Sequence, residues 1–173
     1  MKILATFFCA VSLSACISPN YSAAKHSEFT RANYEAVDKL IADTRSPIDK
    51  NTPLLVATIV NLDGHDQSPR FGRLISEQVA SRLTQLGFVV NEMKLDDGLY
   101  IQKSTGEILL SPDVRERSIN TAPIVVTGNY AVASGYVYLT LKVLNLSDDR
   151  VITAINYVLP MTDNTQELLA PSR

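Results

Sequence analysis

Residues 123–160 read PIVVTGNYAVASGYVYLTLKVLNLSDDRVITAINYVLP. This stretch decides the fold. It holds three segments of strand-like composition, Ile124–Ala133, Tyr136–Leu146 and Arg150–Leu159, rich in valine, isoleucine and tyrosine. The joints, Ser134-Gly135 and Ser147-Asp148-Asp149, are made of residues that turn readily. In the middle segment Val137, Leu139, Leu141 and Val143 alternate with Tyr136, Tyr138, Thr140 and Lys142. A period of two assigns one apolar face to a core and leaves the other wetter. The stretch therefore predicts an antiparallel three-strand meander whose apolar face must be covered by elements from upstream.

Upstream, Tyr34, Val37, Leu40 and Ile41 fall on one face of a helix expected over residues 30–44, with Thr30 as its cap and Ser46-Pro47 as its end. Leu54-Leu55-Val56-Ala57-Thr58-Ile59-Val60 is a nearly continuous apolar run, the composition of a central strand covered on both faces. Ser68-Pro69 is a helix-start device. The helix it opens carries Phe71, Leu74, Ile75, Val79, Leu83 and Leu86 at helical spacing, and Gly87 ends it. Phe88-Val89-Val90 begins a further strand, expected parallel to the first and completing a βαβ-type unit with a right-handed crossover. Leu99–Gln102 and Glu107–Leu110 flank Ser104-Thr105-Gly106 as a small hairpin, and Ser111-Pro112 opens a short turn of helix. The fold class that follows is α/β (α+β): a mixed sheet with a βαβ-type unit, then the antiparallel meander, with helices packed on the sheet.

The chain has 173 residues, is 46% hydrophobic and has a formal net charge of −2, so it suits one domain with a sizeable core and gives no electrostatic ground for a nucleic-acid partner. The amino terminus is of another kind. Lys2 precedes a short apolar run, Ile3–Leu13, which is too short for a membrane span and has the order of a secretory signal. Leu13-Ser14-Ala15-Cys16 follows at the correct distance and resembles the lipobox of bacterial lipoproteins. That resemblance implies cleavage after Ala15, a lipid on the Cys16 thiol and acylation of the new amino group. The alternative is an ordinary signal peptide containing a cysteine. Ile17, in place of Asp, implies export to the outer membrane in enterobacteria-like sorting. With Cys9 lost and Cys16 lipidated, no disulfide remains, and the hydrophobic core must hold the fold. The expected organisation is a signal over residues 1–15, a polar tether over 16–29, one domain over 30–160 and a loose tail over 161–173.

Signatures of catalysis are scarce. The chain has no Gly-rich phosphate loop, no paired CxxC, no HExxH and no GxSxG. Asp63, His65 and Asp66 follow the first strand, where α/β folds often place sites, but a solvated turn accounts for them without chemistry. Asp96-Asp97-Gly98 and Ser147-Asp148-Asp149 are read as turns, and Ser22-Ala23-Ala24-Lys25 matches an SxxK string inside the tether. No cofactor, catalytic or metal-binding residue is expected. Candidate partner-binding residues are Arg115 and Arg117, on a short helical face, and Tyr136 and Tyr138, on the wetter face of the middle strand. Tyr130 and Tyr157 are placed on the strands beside them.

Phe71-Gly72-Arg73-Leu74-Ile75-Ser76-Glu77-Gln78, the strand after Leu86-Gly87-Phe88, Gly106–Ser111, Val126–Tyr130, Tyr138–Leu144 and Val151–Ala154, in that order and behind a lipobox, resemble the FlgO family. The resemblance spans Tyr34 to Leu159. It implies a non-enzymatic outer-membrane lipoprotein that faces the periplasm and serves flagellar assembly or motility near the basal body. Its partners would be the outer membrane through lipid on Cys16, other flagellar outer-membrane or ring proteins, and a second copy of the chain. A more distant likeness to periplasmic lipoproteins of this layout, including curli-secretion and synthase-activating ones, supports an alternative: docking on a secretion or cell-wall synthase complex.

Overall fold

The computed structural model describes residues 27–64, 70–92, 99–102, 107–110 and 122–170. Helix α1 (Glu28–Ala42) leads into β1 (Leu54–Val56) and β2 (Val60–Asn61). Helix α2 (Arg70–Gln85), β3 (Val90–Glu92) and a separate hairpin, β4 (Leu99–Gln102) with β5 (Glu107–Leu110), follow. The meander is β6 (Ile124–Val132), β7 (Tyr136–Asn145) and β8 (Arg150–Pro160), and α3 (Asp163–Leu169) closes the described chain. The main sheet has six strands in the order β3-β1-β6-β7-β8, with β2 also paired to β6. Strands β3, β1 and β6 are parallel neighbours, whereas β6, β7 and β8 pair antiparallel. This is the mixed α+β sheet expected from the sequence, with the βαβ-type unit and the meander fused along β1 and β6.

The alternation in β7 converts directly into packing. Val137, Leu139, Leu141 and Val143 are buried against α1 and α2, joined there by Val37, Leu40, Phe71, Ile75, Val79 and Leu83. Each such side chain contributes roughly 1.5–3 kcal/mol by leaving water. β1 is buried on both faces, because Leu55 and Ala57 join Ala122, Val125 and Leu146 in a second apolar cluster. The expected single strand over residues 54–60 is instead two. Val56 pairs with Val126 and Val60 with Asn129, so three residues on one side face two on the other. The surplus residue breaks the ladder as a bulge does. Helix α2 repairs it. The Ile59 amide donates to Ser76 Oγ at 2.9 Å, and the Ser76 hydroxyl lies within reach of the Ala57 and Gly72 carbonyls at 3.3 and 3.0 Å. Helix and strand approach so closely here that a Cβ on Gly72 would collide with the Ile59 carbonyl oxygen.

Three further expectations need correcting at their edges. The cap of α1 is Ser27 and not Thr30: Ser27 Oγ accepts from the Thr30 amide at 3.2 Å, so the helix takes in two residues assigned to the tether. β3 starts at Val90, after Phe88 has turned into the core. Residues 161–173 are not a loose tail throughout. Thr162 caps α3, Thr165 is buried, and Arg70 donates to the Glu167 carbonyl at 2.7 Å. A helix too short to show a period had no signature in the sequence. The end of α2 matches the reading: Gly87, at φ 88°, closes a Schellman turn with Phe88 N–H to Leu83 O at 3.1 Å and Gly87 N–H to Thr84 O at 3.0 Å. The signal, the lipobox with Cys16, Ser68-Pro69 and residues 111–118 lie outside the described residues.

Candidate interaction surface

The register of the meander sorts its tyrosines onto two faces. Tyr138 pairs with Ala131 on one side and Val158 on the other, and Tyr136 with Pro160. Tyr136 and Tyr138 are 51% and 54% exposed, on the face turned away from the helices. Thr140 and Asn156 continue that face, joined by a hydrogen bond of 2.8 Å from the Thr140 hydroxyl. Tyr138, Thr140, Asn156 and Val158 line a shallow open depression over β7 and β8. The sheet therefore presents amphipathic aromatic and small polar groups to solvent, a mixture suited to contact with another molecule.

Tyr130 and Tyr157 do stand on the neighbouring strands, but both are opposite Leu139, so both face the core. That corrects any grouping of the four. Tyr130 is fully buried, with Phe71 edge-on at 4.9 Å and no partner for its hydroxyl among the described residues, and burial pushes its pKa up to about 12. Burial also pushes the Tyr157 phenol well up. Its hydroxyl donates to Asn33 Oδ1 at 2.6 Å, and Asn33 Nδ2 donates to Gln78 Oε1 at 2.6 Å. Gln78 Nε2 continues to Thr30 Oγ1 at 3.2 Å, so one polar chain ties β8 to both helices. Asn33 is fully buried and was missed by the sequence reading. Its signal was available: it falls in phase with Val37 and Leu40, a polar residue set in an apolar stripe. Outside the core, Arg82 grips Asp38 through two bonds of 2.7 Å while lying 5.4 Å from the centre of the Tyr34 ring.

The remaining candidates carry no assembled chemistry in the described residues. Asp63 is exposed in a bend, its amide bonded to Asn61 Oδ1 at 3.1 Å, while His65 and Asp66 lie outside the described residues. Arg115, Arg117, Asp96 and Asp97 also lie outside them. Asp148 serves its turn. Arg150 donates to it at 2.6 Å, which holds the carboxyl below the usual range, and Asp149 takes the left-handed conformation at φ 55°. Among the described residues no three His, Cys, Asp or Glu side chains gather as for a metal, and no helix is long and apolar enough to cross a membrane.

A sheet walled by two helices on one face, with an aromatic surface on the other, defines an α+β module whose exposed features suit binding. Comparison with known proteins makes the class specific. The family described as FlgO protein matches residues 34–164, which is most of the chain. The chain belongs to the FlgO family. No curated protein sequence matches it significantly. The LpoB C-terminal domain from Salmonella enterica shares its fold, with a TM-score of 0.51 at 15% identity over 76% of this chain and 98% of that one. The corresponding domain from Escherichia coli gives 0.50 at 15% over the same shares, 76% and 98%. The solution structure of Escherichia coli LpoB gives 0.50 at 13%, covering 93% of this chain and 82% of that one. At such identities the likeness is one of fold.

Proposed function

We propose that this protein is a non-enzymatic lipoprotein of the outer membrane, anchored on its periplasmic face through Cys16, that supports flagellar assembly and motility as a structural component beside the basal body. The FlgO family match over residues 34–164 carries this reading. The lipobox-like Leu13-Ser14-Ala15-Cys16 supplies the anchor. One acyl chain holds a protein only marginally at a membrane, and two or more anchor it stably, so a diacylated thiol with an acylated amine suffices. The role then needs no reacting group. It needs a rigid domain at fixed reach from the membrane, with faces for other flagellar outer-membrane or ring proteins and for further copies of itself.

The test is a clean deletion scored by swimming in soft agar and by electron microscopy of the flagella. Loss of flagella or of swimming, restored by the wild-type gene, is expected. Normal flagella and normal swimming would overturn the flagellar role. A second reading keeps the anchor and docks the domain on a secretion or cell-wall synthase complex. The distant likeness to secretion and synthase-activating lipoproteins favours it. Crosslinked complexes purified from cells separate the two, since ring proteins are expected for the first and wall or secretion enzymes for the second.

A further inference from the structure

Five large apolar side chains, Leu62, Val132, Tyr136, Tyr138 and Val158, are strongly exposed in one region of the sheet. They do not share a face. Val132 pairs with Val137 in the register of the buried side, while Tyr136, Tyr138 and Val158 belong to the outer side. What they share is an end. Leu62 N–H donates to the Tyr130 carbonyl at 2.9 Å, two residues from Val132, and Ala133 N–H donates to the Tyr136 carbonyl at 2.9 Å across the turn. Val89 and Val151, the other strongly exposed apolar residues of the described chain, sit towards the opposite end.

The chain enters the domain at this same end. Helices α1 and α2 run parallel, with Phe29 5.8 Å from Phe71 near their starts and Asp38 bonded to Arg82 further along. Phe71 lies 4.9 Å from Tyr130, so Ser27, the cap of α1, belongs to the end that carries Val132 and the β6–β7 turn. From Cys16 to Ser27 there are eleven chain steps. Fully extended, they reach at most about 40 Å, roughly the size of one small domain, so this end is the one attached to the anchor and it lies within reach of the lipid. We propose that the end bearing Leu62, Val132 and Tyr136 rests on the phospholipid surface that anchors the chain, so that the domain stands end-on at the membrane.

This rests on lipidation of Cys16 and adds an orientation to it. Tyrosine suits the position, because its ring takes the apolar boundary while its hydroxyl stays among headgroups. Glu28, Asp63 and Asp163 lie at this end together with Arg70, so charges of both signs border it and a zwitterionic bilayer suits it. A protein partner would fit the outer-face tyrosines but would leave the exposure of Leu62 and Val132 without a cause.

The chain has no tryptophan, so single reporters are clean. The full-length lipidated protein, carrying either Tyr136→Trp or Val151→Trp, is reconstituted into phosphatidylethanolamine-rich vesicles with brominated acyl chains. The Tyr136→Trp reporter is expected to shift to the blue and be quenched by the bromolipid, and the Val151→Trp reporter to stay solvent-like. Leu62→Trp repeats the measurement from a second element. Equal quenching at both ends, or none at position 136, would overturn the orientation and return the tyrosines to a protein partner. Flotation with the vesicles reports the anchor separately. Protein that does not float refutes lipidation at Cys16 and takes the orientation with it, whereas floated protein with an unquenched reporter refutes the orientation alone.

Discussion

Tyr130 and Tyr157 on one side of the meander, and Tyr136 and Tyr138 on the other, are the same residue type within one sheet, yet they do opposite work. The first two are packed under the helices and the second two are more than half exposed, at 51% and 54%. Strand parity alone separates them: the inner pair flanks Leu139, and the outer pair alternates with it. Even the inner pair divides. Tyr157 spends its hydroxyl on Asn33, whereas the Tyr130 hydroxyl has no partner among the described residues. Burial of a tyrosine thus says little until its hydroxyl is followed, because an unmet buried hydroxyl costs more than a met one gains.

Substitutions break or sharpen this contrast in a definite order. Tyr130→Ala opens a cavity beside Phe71 and is expected to cost about 3–5 kcal/mol, read from urea unfolding. Tyr157→Phe strands Asn33 Oδ1 and is expected to cost about 1–3 kcal/mol, although it removes a single atom. Tyr130→Phe makes the same chemical change with the opposite sign, a gain of about 1 kcal/mol, because it deletes a hydroxyl with nothing to bond. Alkaline unfolding checks the same point. A phenol whose folded pKa is raised to about 12 from an ordinary 10.0 stabilises fully below pH 10 and loses that contribution as pH climbs through 12. Stability should therefore fall over that window in the wild type, and less steeply in Tyr130→Phe. Tyr136→Ser and Tyr138→Ser come last, each within about 0.5 kcal/mol of wild type, as exposed positions should be. A large loss there would mean that the outer face belongs to the core after all.

The contrast also marks how far the sequence could be read. β6, β7 and β8 were legible because alternation and turn residues carry their own register, and Tyr136 and Tyr138 were placed correctly on that basis. The partition of Tyr130 and Tyr157 was not drawn, although the same registers settle it by setting both opposite the inward Leu139. The break between β1 and β2 was hidden. An apolar run looks continuous, while the Ser76 hydroxyl and bare Gly72 that permit the bulge sit a helix away. α3 was invisible because seven residues held by a threonine cap and by Arg70 show no period. Of the candidate surface, the exposed aromatics could be named from parity. The gathering of Leu62 and Val132 beside them came only with the fold.

The anchor, and with it the proposed place at the outer membrane, hangs from Cys16, and one substitution addresses it most directly. Cys16→Ala is introduced at the native locus, and the protein is followed by membrane fractionation and by mass spectrometry of its amino-terminal peptide. The account predicts a diacylglyceryl-modified, acylated Cys16 in the wild type, and a variant missing from the outer-membrane fraction in cells that swim poorly. An unmodified wild-type cysteine, or a variant that stays in the outer membrane of fully motile cells, would contradict it.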